Sequence, residues 1–434
     1  MATAPCRLTD QAQNGAPDMT PTGAPKRLLM VMPYSQFVRK AAEAGFEVWA
    51  IWDPSLRERE YLDEVAEHAR ELLLTDFSDE EGLRALIAAT VRAHGIGHVL
   101  HLGAEESMPP AYAEAEALGV SPNPAAAIGV LNDKAAMREL LAGYGLSAVR
   151  SASVATADDV SGALAGLPLP VVVKPARASG SRGVALIRDA ADLDEWTERV
   201  TAAGLPGPYL IEEYLQGPEF SVETLSADGV HHVIGITAKH TTGAPYFVET
   251  AHVHPAPLAD AERTAIHAVV IGLLDLAGYR FGPAHTEVIL TDRGPRVVES
   301  QTRLGGDRIP LLIETASDYD IEAAIFRTLA GESVEAPRPK HTASVGFFLL
   351  PAGELRSVTG LDAIRALPYV QALHFPHSIG DVLPATTNSF TRHGYVVVDA
   401  ESPAEAADRI ARVRGLLRVD VRETALAAPK GTHR

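Results

Sequence analysis

Residues 285–303 read HTEVILTDRGPRVVESQTR, and no other stretch narrows the possible folds of this chain as much. Two apolar runs flank Asp292-Arg293-Gly294, which predicts a three-residue hairpin loop with glycine where a positive φ is needed. Centred on Arg293, the pairing puts Glu287 opposite Glu299 and His285 opposite Gln301. Side chains directly across a ladder have Cβ atoms roughly 5 Å apart, and like charges there destabilise a sheet unless something bridges them. A hard divalent cation does so, and magnesium takes both carboxylate and phosphate oxygens. Alternation adds Gln301 and Arg303 to the face of Glu299. A guanidinium beyond the metal can hold a developing phosphoryl or oxyanion charge. The plain alternative is an exposed edge hairpin with solvated charges. A mirrored acidic pair followed by Gln, Arg and Gly-Gly favours the metal.

The rest of the chain narrows the class. At 434 residues it is long enough for two to four domains and a sizeable core. Its net charge of −18 argues against general nucleic-acid or anionic-lipid binding. The single cysteine, Cys6, excludes an internal disulfide and suits a reducing cytoplasm. No apolar run approaches the ~18–20 residues of a membrane helix. Residues 1–25 lack the basic start and apolar stretch of a signal peptide and are expected to be a disordered leader.

Residues 26–124 alternate strands (27–32, 46–51, 72–74, 98–102) with helices (35–44, 79–94). This predicts a parallel, Rossmann-like sheet covered on both faces. No G-x-G-x-x-G follows the first strand and no G-x-x-x-x-G-K-[ST] occurs, so neither a dinucleotide site nor a P-loop is indicated. Pro122 and Pro124 mark a break, after which Asn132 reads as the cap of a helix. Residues 125–206 and 207–331 carry short strands, a helix near 191–203, a long helix over 260–277, the hairpin, and a helix from about 309 to 330. Residues 332–340 read as a linker, and 341–425 as a final α+β unit.

Lysine is scarce: Lys26, Lys40, Lys134, Lys174, Lys239, Lys340 and Lys430 are the whole set. A lysine in an apolar strand of so arginine-rich a chain needs a reason, and a compact ammonium suits phosphate. Lys174 ends the strand 171–173, and the small, flexible loop after it, 175–183, includes Ser179, Gly180 and Ser181. Backbone amides there could cover a polyphosphate. In YLIEEYLQGPEFSVE (209–223), acidic residues flank a turn: Glu212 and Glu213 before it, Glu219 after it.

In order, NDK (132–134), VVVKPARASGSRGV (171–184), IEEYLQGPEFSVE (211–223), HTEVI (285–289) and ESQTRLGGD (299–307) resemble the ATP-grasp superfamily. The resemblance implies a fold that is α/β and α+β: an N-terminal Rossmann-like domain, two α+β subdomains clasping ATP, and a C-terminal α+β domain. It implies that Lys134, Lys174 and the loop Ser179–Ser181 bind phosphates. Glu212 and the backbone of Glu213, Tyr214 and Leu215 would face adenine, and Glu219 would hold the ribose. Glu287 and Glu299 would coordinate magnesium, with manganese as a substitute; Gln301 stands where the family often has Asn.

Within the superfamily the chain looks most like the L-amino-acid ligases of the bacilysin-synthetase type. Arg303 and Gly306 match the residues that hold the acyl phosphate there. Glu249 and His252 match an E-x-x-H stretch of the amino-acid pocket, and the tail GFFLLPAGELRSVTGL resembles the C-terminal domain. Asp307 departs from the bulky aromatic of those relatives; an acidic residue there would favour a cationic or polar acceptor group. The implied activity is amide formation between a carboxylate and an amine, both small molecules and amino acids by analogy, through an acyl phosphate. Relatives are often homodimers. The alternatives are another ATP-grasp ligase or carboxylase, acting on a nucleotide-biosynthesis amine or bicarbonate, and a non-catalytic ATP-binding regulator.

Overall fold

A computed structural model describes residues 26–103, 107–177 and 180–423. The expected leader over 1–25, with Cys6, and the phosphate-loop residue Ser179 lie outside these described residues.

The N-terminal unit is a parallel sheet in the order Glu71–Leu74, Phe46–Trp52, Lys26–Val31, His98–His101. Its central strand alternates between two cores, as a sheet covered on both faces must. Leu28 and Met30 pack with Phe37 and Val38 of helix Ser35–Glu43, while Leu29 and Val31 pack with Leu83 and Ile87 of helix Glu80–His94.

A second, four-stranded sheet runs Ser151–Val154, Tyr209–Glu213, Val171–Pro175, Ala185–Ile187, all antiparallel. Trp196 and Val200 of helix Ala190–Ala202 close its back. The largest sheet has eight strands: Gly294–Gln301, Gly282–Thr291, Glu219–Ala227, Val230–Thr241, Glu249–His254, Thr342–Phe347, Tyr395–Ala400 and Val370–His374. It crosses the 332–340 linker, because Thr342–Phe347 pairs with Glu249–His254. On one face Phe220, Val222, Ile236, Val288 and Val297 pack on Ile266, Val270 and Leu273 of helix Asp260–Ala277. The opposite face carries the alternate residues Glu219, Ser221 and Glu223, and it looks into the cleft between the two sheets.

Three sequence readings are corrected. The helix expected over 309–330 is two, Ile309–Ser317 and Ile321–Leu329. Asp318 at φ 57° breaks it, the Ala316 carbonyl accepts Lys340 and His341 N–H, and Asp320 caps the second helix at Ala323 N. The cap of helix Lys134–Gly143 is Asp133, which accepts Ala135 and Ala136 N–H, and not Asn132. The hairpin ladder closes at Thr291–Gly294, so the turn is two residues long. A bulge then places Val298 as an extra residue between the pairs Val288–Val297 and Glu287–Glu299. Turn and bulge each shift the register by one and cancel, so Glu287 does face Glu299.

Candidate active site

The cleft is lined from the small sheet by Val172, Lys174, Glu212 to Leu215 and the loop residues Gly180 to Arg182. From the large sheet come Glu219, Lys239, Glu249, Glu287, Ile289, Val298 and Glu299. Its lining combines the apolar side chains Val172, Leu215, Ile289 and Val298 with a dense set of lysines and carboxylates. The two walls are tied together. Lys174 Nζ donates to the Val298 carbonyl at 3.4 Å, Ser181 Oγ to the Phe247 carbonyl at 3.2 Å, and Arg293 of the hairpin tip meets Glu213 at 3.0 Å. The Glu213 side chain therefore faces Arg150 and Arg293, and its N–H donates to the Arg150 carbonyl at 2.9 Å.

Glu287 and Glu299 are directly paired, and each has its own lysine. Lys134 Nζ lies 2.9 Å from Glu299, and Lys239 bonds Glu287 while standing 2.8 Å from Glu219 and 3.8 Å from Glu249. Burial works against the Lys239 ammonium, but the carboxylates of Glu219, Glu287 and Glu249 outweigh it and hold its pKa well above the ordinary lysine value. Burial likewise opposes the Glu287 and Glu299 charges. Lys239 with His285, and Lys134, respectively, keep both carboxyls below their usual range. Gln301 supports the pair by donating Nε2 to Glu299 at 2.7 Å.

Among the described residues, no group of three or more His, Cys, Asp or Glu forms a metal cage. Magnesium does not need one, since it binds through one or two carboxylates plus substrate phosphates and keeps several waters. Two facing carboxylates, already charged and opening on a cation-lined cleft, fit that ion.

Glu212 is held by Lys174 at 2.6 Å and by the buried Arg138. Asn132 takes another role than capping: Nδ2 donates to Thr302 Oγ1 at 2.8 Å and Oδ1 accepts Thr302 N–H at 3.0 Å. The tripeptide Asn132-Asp133-Lys134 thus locks the end of the acidic strand, caps the helix and reaches Glu299. Glu223 was not singled out in the sequence, and His285 was named there only as the residue opposite Gln301. Glu223 is fully buried, accepts the Gly305 N–H at 3.0 Å and bonds His285 Nδ1, whose other nitrogen lies 3.4 Å from Glu287. The Gly305 amide is therefore occupied, and of the two glycine amides only that of Gly306 is left beside Arg303. Arg303 itself donates to the Leu304 carbonyl at 3.0 Å.

Glu249, His252 and Asp307 do come together, through a residue the sequence reading missed. Arg392 forks onto both Asp307 oxygens, and His252 Nε2 lies 3.1 Å from Asp307 Oδ2. Burial pushes the Asp307 carboxyl up, but His252 and Arg392 more than compensate and hold it well below the usual range. Its charge is thus already balanced, which removes the basis for expecting it to draw a cationic acceptor. Lys239 could have been found, being a lysine in an apolar strand. Arg392 lies 85 residues from Asp307, with nothing local to link them.

Sheets, cleft and facing carboxylates define the ATP-grasp fold, and residues 167–310 match the ATP-grasp domain. More specifically, residues 346–422 match the L-amino acid ligase C-terminal domain 2. The chain superposes on the crystal structure of L-amino acid ligase from Bacillus licheniformis with a TM-score of 0.76 at 23% identity, over 93% of this chain and 100% of that one. An uncharacterised protein of Sinorhizobium fredii is 32% identical over 64% of this chain and 59% of its own length. Dapdiamide A synthase of Enterobacter agglomerans is 23% identical over 65% of this chain and 70% of its own length. Alanine–anticapsin ligase of Bacillus subtilis is 27% identical over 47% and 48%, so the chain spans only about half of that relative.

Proposed function

We propose that this protein is an ATP-dependent carboxylate–amine ligase that forms an amide, of dipeptide type, between amino acids. The observation that carries the reading is the Glu287–Glu299 pair with a lysine for each carboxylate, set in a cleft that also presents apolar side chains. Similarity to dapdiamide A synthase and alanine–anticapsin ligase supports the reaction class. No described helix is long and apolar enough to cross a membrane.

Adenine would lie between Val172, Leu215, Ile289 and Val298, against the Glu213–Leu215 backbone, with Glu219 at the ribose. Lys134, Lys174 and Lys239 would receive the phosphates, with the backbone of Gly180 and Ser181. Magnesium, held by Glu287 and Glu299, would neutralise phosphate charge during transfer, where positioning and electrostatics dominate. The substrate carboxylate attacks the γ-phosphorus and displaces ADP, leaving an acyl phosphate. The amine then attacks the acyl carbon, phosphate leaves, and the nitrogen loses a proton. Arg303 and the Gly306 amide would hold the negative charge of that step. Glu223, by fixing Gly305, sets the direction of the neighbouring Gly306 amide.

Incubation with MgATP and pooled amino acids should give ADP and a condensation product in equal amounts, read by mass spectrometry. Glu287→Gln and Glu299→Gln should each lower amino-acid-dependent ADP release by at least a hundredfold. Full activity in both variants would remove the metal assignment, and ADP release indifferent to every amine would remove the ligase reading.

A further inference from the structure

The C-terminal unit touches two residues of the cleft lining, Gly180 and Glu249, through one short turn. Ser389–Thr391 is a single 3-10 turn, capped by Asn388 Oδ1 accepting Phe390 N–H at 2.9 Å. Thr391 Oγ1 accepts Thr387 N–H at 2.9 Å, and the buried His393 anchors the base of the segment between Leu350 N–H and the Pro384 carbonyl. The turn is therefore held by its own cap and by hydrogen bonds at its base.

Its side chains point two ways. Toward the phosphate loop, Ser389 N–H donates to the Gly180 carbonyl at 3.2 Å. Phe390 lies on Gly180 so closely that a Cβ there would sit 2.4 Å from the ring, and Gly180 has φ +66°. The Arg182 guanidinium lies 5.5 Å from the same ring. Phe390 is nevertheless 69% exposed, so its burial adds little to the core. Toward the opposite wall, Ser389 Oγ donates to Glu249, and Arg392 forks onto Asp307. Arg392 Nε also returns to the Ser389 carbonyl at 2.8 Å, and its guanidinium sits 3.6 Å above the Phe347 ring. A bidentate, ring-stacked arginine has one geometry, and lysine cannot reproduce it.

We propose that Asn388–Arg392 is a working part of the active site. Arg392 is a positioning residue that sets Asp307 and His252 on the amine side, while Ser389 and Phe390 hold the phosphate loop at Gly180. Joined through the Ser389 carbonyl, the two contacts keep the acyl phosphate from water until the amine is in place. This rests on the ligase reading above. Loss of the clasp lets water attack the acyl phosphate. Water oxygen bonds to the acyl carbon, the carbon–oxygen bond to phosphate breaks, and carboxylate, phosphate and protons result, so ADP forms without amide.

The test uses the full chain with MgATP and an equimolar mixture of the common amino acids, following ADP and condensation product together. Phe390→Ala and Arg392→Met should each raise the ratio of ADP to amide at least threefold over wild type. Arg392→Met should also raise the KM for the amino-acid mixture about tenfold, and Arg392→Lys should restore little of it. A merely structural role would lower both products in step. Wild-type ratios in Phe390→Ala and Arg392→Lys, both still folded by thermal melting, would overturn the proposal. A wild type with no amino-acid-dependent ADP would instead sink the ligase reading. Trypsin cleavage after Arg182, with a non-hydrolysable ATP analogue bound, needs no turnover: Phe390→Ala should be cut several-fold faster, and an equal rate would also overturn the clasp.

Discussion

At the scale of single residues, burial decides what a charged group is for. Lys239 is kept charged inside the protein by three carboxylates, and removing such a cation would leave them uncompensated at a cost of about 3–5 kcal/mol. His101 is the opposite case. It is fully buried, and among the described residues no carboxylate pairs with it; Nδ1 accepts the Gly103 N–H at 3.2 Å, and Nε2 meets Ser107 Oγ at 2.7 Å. Burial lowers its pKa from 6.5 to about 3 by penalising the charged ring. A histidine with a depressed folded pKa binds its proton more readily when unfolded, so stability falls as pH drops below 6.5 and levels off near 3. The slope from this one group approaches roughly 1.4 kcal/mol per pH unit. His101→Gln should therefore lose stability less steeply between pH 6 and 4 in denaturant unfolding; parallel curves for the two proteins would refute it.

Elements show how local rules and tertiary demands combine. The acidic pair was legible because like charges opposite each other on a hairpin need a partner, but the turn length inferred for it was one residue too long. The bulge at Val298 restored the pairing, and it also turns the Val298 carbonyl to Lys174. Sequence periodicity carries no mark of such a bulge. The break at Asp318 was hidden for a related reason: apolar residues stand on both sides of Ser317–Asp320, and the left-handed Asp318 and the approach of Lys340 and His341 N–H to Ala316 are tertiary features that end the first helix. Asp318 is left-handed, and its ion pair with Lys340 is mostly exposed and so contributes little. Asp318→Gly should thus leave stability within about 1 kcal/mol of wild type or raise it. Asp318→Val should destabilise by about 1–2 kcal/mol, as measured by urea unfolding.

At the scale of the molecule, one sheet joins the catalytic half to the C-terminal unit. The linker at 332–340 looks like a boundary in sequence, yet the strand after it pairs with Glu249–His254 and so backs His252 directly. A chain cut at residue 340 would expose that strand as an unpaired edge and lose the Arg392 contact with Asp307. Such a fragment should aggregate on size-exclusion chromatography and show little protection of 249–254 amides in hydrogen exchange. A monomeric, ATP-binding fragment would contradict this.

Sequence alone determined the parallel N-terminal sheet, the alternation that gives each strand a core face and a cleft face, and the facing of Glu287 and Glu299. These follow from periodicity and from charge that must be neutralised nearby, which are local matters. Tertiary structure decided the rest: that Glu223 and His285 link the acidic hairpin to the Gly305 loop, that Asp307 answers to Arg392, and that Phe390 meets Gly180. Those partners are distant in sequence, and only the folding of the sheets brings their charges into one low-dielectric space where each must be balanced.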